Sequence, residues 1–94
     1  MLDWTDRAPA VTFDLHGQSV LEAVRSVELF LASQRKARPG AVVRLITGRG
    51  SGGGPAPIRG RVGGLLRRLK ESGTVVRDFE REPGEGSYLV RLAG

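Results

Sequence analysis

The stretch AVTFDLHGQSVLEA, residues 10–23, changes its period in the middle. In its first half Val11, Phe13 and Leu15 alternate with Thr12, Asp14 and His16, the two-residue repeat of a strand with one buried face. This places a first strand at about 10–15. Gly17 breaks the repeat. Ser19 and Glu22 then stand three apart, the spacing of a capping box in which hydroxyl and carboxylate each satisfy an orphan backbone donor. Behind them Val20, Ala23, Val24, Val27, Phe30 and Leu31 recur at helical spacing, which predicts a helix over about 19–36. Arg35, Lys36 and Arg38 suit its C-terminus, where the helix dipole is negative, and Pro39-Gly40 stops it.

The same reading continues outward. AVVRLIT (41–47) is a short, nearly continuous apolar run, as expected of a buried parallel strand. GRGSGGGPAP (48–57) is too rich in glycine for helix or strand. From Pro57 the apolar residues Ile58, Val62, Leu65, Leu66 and Leu69 follow a helical period, predicting a helix over 57–71 with proline near its first position. Gly60, Gly63 and Gly64 each cost that helix roughly 1 kcal/mol against alanine. TVVRDFER (74–81), a turn at EPGEG and SYLVRL (87–92) read as an antiparallel hairpin. The order is β-α-β-α-β-β. Right-handed crossovers make the first two strands parallel and put both helices on one side, a two-layer α/β sandwich with a four-stranded mixed sheet. Residues 1–9 show no period and end in Pro9, so they are expected to be a loose N-terminal extension to one domain spanning 10–94.

Composition narrows the function classes. The chain has 94 residues, a net charge of +5 and no cysteine, so disulfides and thiolate metal sites are excluded. MLDWTDRAPA lacks an apolar run of secretory length, and no stretch approaches a membrane span, so a cytoplasmic protein with no membrane partner is expected. Arginine far outnumbers lysine. Between Val42 and Lys70 stand seven basic residues (Arg44, Arg49, Arg59, Arg61, Arg67, Arg68, Lys70) and no acid, whereas Asp3, Asp6, Asp78, Glu80, Glu82 and Glu85 lie towards the two ends. A one-sided basic field of this kind attracts polyanions.

Parallel strands end on the same side of a sheet, so the fold should bring FDLHG, at the end of the first, beside TGRG, at the end of the second. In open α/β sheets ligands bind at that carboxyl end. Successive glycines let backbone N–H groups converge on an anion, and here the loop runs into a helix N-terminus with Arg49, Arg59 and Arg61 around it. It is not a Walker A loop, because GRGSGGGPAP lacks the Gly-Lys-Ser/Thr ending, nor a dinucleotide fingerprint. In a strand Asp14 and His16 point to one face. The carboxylate could hold the imidazole as a general acid or base near neutral pH. The pair could instead be two ligands of a divalent cation, Mg²⁺ or Mn²⁺, for which two ligands alone are weak evidence, or a cap on the following turn.

FDLHG, a helix carrying Glu22-Ala23, ITGRG and a closing EGSYLVRL together resemble the Smr (small MutS-related) domain, over about residues 11–92. The resemblance implies a fold similar to the C-terminal domain of bacterial translation initiation factor three. It also implies nucleic-acid binding in DNA repair or RNA processing and, in a number of members, nicking or RNA endonuclease activity. Asp14 and His16 match the family's Asp and His, and Gly48 and Gly50 match its TGxG glycines. Many relatives carry His-Ser shortly after TGRG, where this chain has Ser51-Gly52-Gly53-Gly54.

The expectation is therefore a binder of DNA or RNA that hydrolyses phosphodiester bonds. Asp14 and His16 are its catalytic candidates, and Thr47, Gly48, Arg49, Gly50, Ser51, Arg59 and Arg61 its phosphate-binding ones. The alternatives are a non-catalytic module recognising structured RNA or branched DNA, and an interaction domain for an acidic protein partner.

Overall fold

A computed structural model describes residues 3–48, 57–84 and 86–94. The elements follow the predicted order: β1 (Val11–Asp14), α1 (Val20–Ala37), β2 (Val42–Ile46), α2 (Pro57–Ser72), β3 (Val76–Arg81) and β4 (Ser87–Leu92). They make one four-stranded sheet in the order β1-β2-β4-β3. β1 and β2 are parallel, with Asp14 level with Ile46, and β4 runs antiparallel between β2 and β3. The hairpin thus inserts its second strand at the centre, which is why SYLVRL is buried almost throughout.

One face of the sheet carries the core. Leu15, Val43, Leu45, Tyr88, Val90, Leu92 and Val76 meet Ala23, Val27 and Leu31 of α1 and Val62, Leu65 and Leu66 of α2 in a single cluster. Phe13 stacks on Phe30 at 4.7 Å, fastening β1 to α1. The capping box forms as its spacing predicts: Ser19 Oγ accepts from the Glu22 N–H and the Glu22 carboxylate accepts from the Ser19 N–H. Those bonds to Ser19, backbone first and then side chain, hold the Glu22 carboxyl below its ordinary range.

Gly63 departs from the simple helix cost. A β-carbon there would lie 2.5 Å from the Tyr88 hydroxyl oxygen, and that hydroxyl donates to the Arg59 carbonyl at 3.1 Å. The glycine lets α2 lie close enough to β4 for this contact.

The N-terminal extension, expected to be loose, contains a capped turn. Trp4–Asp6 form a 3₁₀ helix in which Asp3 and Asp6 bond each other's backbone N–H groups. The Trp4 indole stands near enough to Asp78 to help lower its carboxyl, and Thr5 borders a cleft with Glu80 and Leu89. Absence of a period carried no information about a single tryptophan finding a carboxylate far along the chain. Among the described residues no helix is long and apolar enough to cross a membrane.

Candidate nucleic-acid interface

Leu15 points into the core and is fully buried, so Asp14, the last residue of β1, falls on the open face of the sheet; Asp14 and His16, in the turn that follows, are both exposed. Register places them. Asp14 is level with Ile46, and Leu15 N–H donates to the Ile46 carbonyl at 2.8 Å, which sets His16 beside Thr47-Gly48 at the carboxyl end of both parallel strands. The two motifs meet as the crossover rule requires. The glycine of each, Gly17 at φ 83° and Gly48 at φ 81°, takes the left-handed backbone needed to turn out of its strand.

Asp14 does not hold the imidazole. Its Oδ1 accepts from the main-chain N–H of His16 at 2.8 Å, an Asx turn that shapes the DLHG bend. The pair thus adopts the turn-capping arrangement, and the carboxylate orients His16 through its backbone. The imidazole itself is exposed, and its side chain makes no hydrogen bond with a described residue.

Thr47 and Gly48 are tied down rather than presented. The Gly86 carbonyl accepts from Thr47 N–H at 2.6 Å and Gly48 N–H at 2.9 Å. It also accepts from the Thr47 hydroxyl at 3.0 Å, and Thr47 is buried. Neither backbone N–H is therefore free to cradle an anion. What TG does here is bolt the start of the glycine loop to the β3–β4 turn. Arg49, Gly50 and Ser51, the remaining loop candidates, lie outside the described residues.

The turn is braced in its own right by residues that the motif reading did not include. Arg44 of β2 forks onto Glu82, Nε at 2.8 Å and Nη2 at 3.1 Å, and the Ser87 hydroxyl donates to the same carboxylate at 2.6 Å. The Arg44 bond is the main reason the Glu82 carboxyl sits below its ordinary range; burial opposes it, and Ser87 adds to it. Glu82 in turn raises the already high pKa of Arg44. Lys70 likewise pairs with Asp78 at 3.0 Å. Burial acts to raise the Asp78 pKa, but bonds from Lys70, the Phe79 N–H and Trp4 outweigh it and leave the group lowered.

Two of the seven cations of the central segment are thus neutralised by acids from the end of the chain. Arg59, Arg61, Arg67 and Arg68, all on α2, make no ion pair among the described residues. Arg59 and Arg61 stand within the first five residues of that helix, whose first turn holds no acid. Cations there oppose the helix dipole and weaken the helix, while an anion at that end gains from both. α1 differs, since its N-terminus already holds Glu22. Tyr88 is level with Leu45 and bonds the Arg59 carbonyl, so the start of α2 stands near the same end of the sheet.

Among the described residues no three His, Asp or Glu side chains gather as a cation site. Of the two candidate ligands Asp14 and His16, one Asp14 oxygen is already engaged by the His16 N–H, and the nearby Glu82 carboxylate is taken by Arg44 and Ser87.

The family model described as Smr domain matches residues 13–93, nearly the whole chain. No curated protein matches.

Proposed function

This chain belongs to the Smr family, and from that premise we propose that it binds DNA or RNA and cuts phosphodiester bonds as an endonuclease. Smr domains are nucleic-acid-binding, nuclease-like modules. The observation that supports the finer reading is that an exposed imidazole, His16, stands at the same end of the sheet as the start of α2, whose Arg59 and Arg61 pair with no acid among the described residues. On this reading Arg59 and Arg61 grip the phosphate backbone, in the ground state as in the transition state. His16 takes the proton of the attacking water or gives one to the leaving oxygen. Asp14 sets the His16 backbone through the turn, and Thr47 and Gly48 fix where the glycine loop begins.

The test compares wild type with His16→Ala, purified identically, on supercoiled plasmid and on structured RNA, with and without Mg²⁺ or Mn²⁺. Cleavage should fall by roughly 10²–10⁴-fold with affinity nearly unchanged, because a proton-transferring group acts chiefly in the transition state. Equal residual cutting by both proteins would mark a contaminating nuclease and remove His16 from the mechanism.

A second reading has its own support. The His16 ring has no hydrogen-bonding partner among the described residues, and the loop carries Ser51-Gly52-Gly53-Gly54 where many Smr relatives have His-Ser. A lone imidazole favours a module that recognises structured RNA or branched DNA without cutting. Salt-sensitive binding with no cleavage of any substrate by wild type would establish it.

A further inference from the structure

Three arginines outside the central basic segment, and at the other end of the sheet, border one cleft of about 980 Å³. Arg35 comes from the last turn of α1, Arg77 from β3 and Arg91 from β4. Arg91 is level with Val42, the first residue of β2, whereas Asp14 is level with Ile46. Four residues of strand, roughly 13 Å, separate the two rows. The cleft therefore does not belong to the His16 end.

Its chemistry is unbalanced. None of the three guanidinium groups makes an ion pair or hydrogen bond with a described residue. The Nε of Arg35 and the Nε of Arg91 are both buried from solvent and still without an acceptor among the described residues. A buried donor on a charged group is costly to leave unmade. Asp78 also borders the cleft, but its Oδ1 is engaged by Lys70 and the Phe79 N–H, and it pairs with none of the three arginines. It does not discharge the arginines.

We propose that the Arg35–Arg77–Arg91 cleft binds a phosphate group. A tetrahedral oxyanion can accept from forks arriving from three directions, which the two oxygens of a carboxylate serve less well. The group is either a free phosphate species or a backbone phosphate of a polynucleotide whose contacts then extend to both ends of the sheet. Only the polynucleotide source rests on the nucleic-acid reading above.

The experiment follows the arginine Nε–Hε resonances of the full chain by NMR as inorganic phosphate, and separately acetate, is added. The Arg35 and Arg91 signals should shift saturably with phosphate and less with acetate. Arg77→Ala, at an exposed position, and Arg91→Lys, which keeps the charge but not the fork, should each weaken phosphate binding by about tenfold. Unmoved Arg35 and Arg91 signals at phosphate concentrations that shift the exposed Arg61 overturn the proposal.

A second arm titrates a short duplex. If the cleft holds a backbone phosphate, the same two signals move, and Arg77→Ala lowers the slope of log affinity against log salt by about one. A duplex that binds without moving them assigns the cleft to free phosphate species and overturns the backbone source. A duplex that does not bind at all defeats the nucleic-acid reading, while the phosphate titration still decides the cleft.

Discussion

The hydroxyl of Thr47 donates to the carbonyl of Gly86, 3.0 Å away and 39 residues along the chain. With the N–H groups of Thr47 and Gly48 on the same oxygen, this joins the start of the glycine loop to the turn that closes the sheet.

Thr47→Val keeps the shape and loses one of the three bonds. Gly86 retains its two N–H donors, so the carbonyl is not orphaned, and the loss should be about 1 kcal/mol in denaturant unfolding. Thr47→Ser, which keeps the hydroxyl, should lose less, and nucleic-acid affinity should follow stability in both. An affinity loss in Thr47→Val at unchanged stability would make the hydroxyl a phosphate contact instead.

Asp14 acts on the main chain of His16. Asparagine can accept the same bond and is at home in such turns. Asp14→Asn should therefore retain more cleavage than Asp14→Ala, and Asp14→Ala should also lose about 1 kcal/mol of stability. Equal losses of rate in the two variants would mean that the negative charge itself is required.

Glu82 makes the stability of the turn depend on pH. Its carboxyl is lowered by Arg44, against burial, with help from Ser87. In that case the unfolded chain binds the proton more readily, so the stabilisation is complete above the ordinary carboxylate range, about 4.3. It is lost as pH falls through the lowered folded value. Glu82→Gln should lower stability by about 1–2 kcal/mol at pH 7, a modest figure because the pair is partly exposed. The gap to wild type should close towards pH 3. A gap constant from pH 7 to pH 3 in thermal unfolding would show that the ionised carboxylate contributes nothing.

Gly63 and Gly64 should respond oppositely to alanine. At Gly64 a β-carbon meets nothing within 4 Å, so Gly64→Ala should stabilise by up to about 1 kcal/mol through helix propensity. At Gly63 it meets the Tyr88 hydroxyl, and Gly63→Ala should destabilise by about 1–3 kcal/mol through overpacking. Paired melting curves decide it, and a stabilised Gly63→Ala would deny the close approach.

Periodicity along the chain was enough for the elements, because a half-buried strand and a one-faced helix each write their repeat into consecutive residues. The crossover rule then placed DLHG beside TG with no knowledge of side chains, since parallel strands must end together. What each polar group does there was decided only by the folded chain. Asp14 turned to the His16 backbone, the Thr47 and Gly48 donors went to Gly86, and Arg44 and Lys70 were claimed by Glu82 and Asp78. The cleft of Arg35, Arg77 and Arg91 exists only where α1, β3 and β4 converge. Hydrogen bonds and ion pairs act over about 3 Å. Which partners come within that reach depends on strand register and helix packing between segments dozens of residues apart, and no local pattern encodes it.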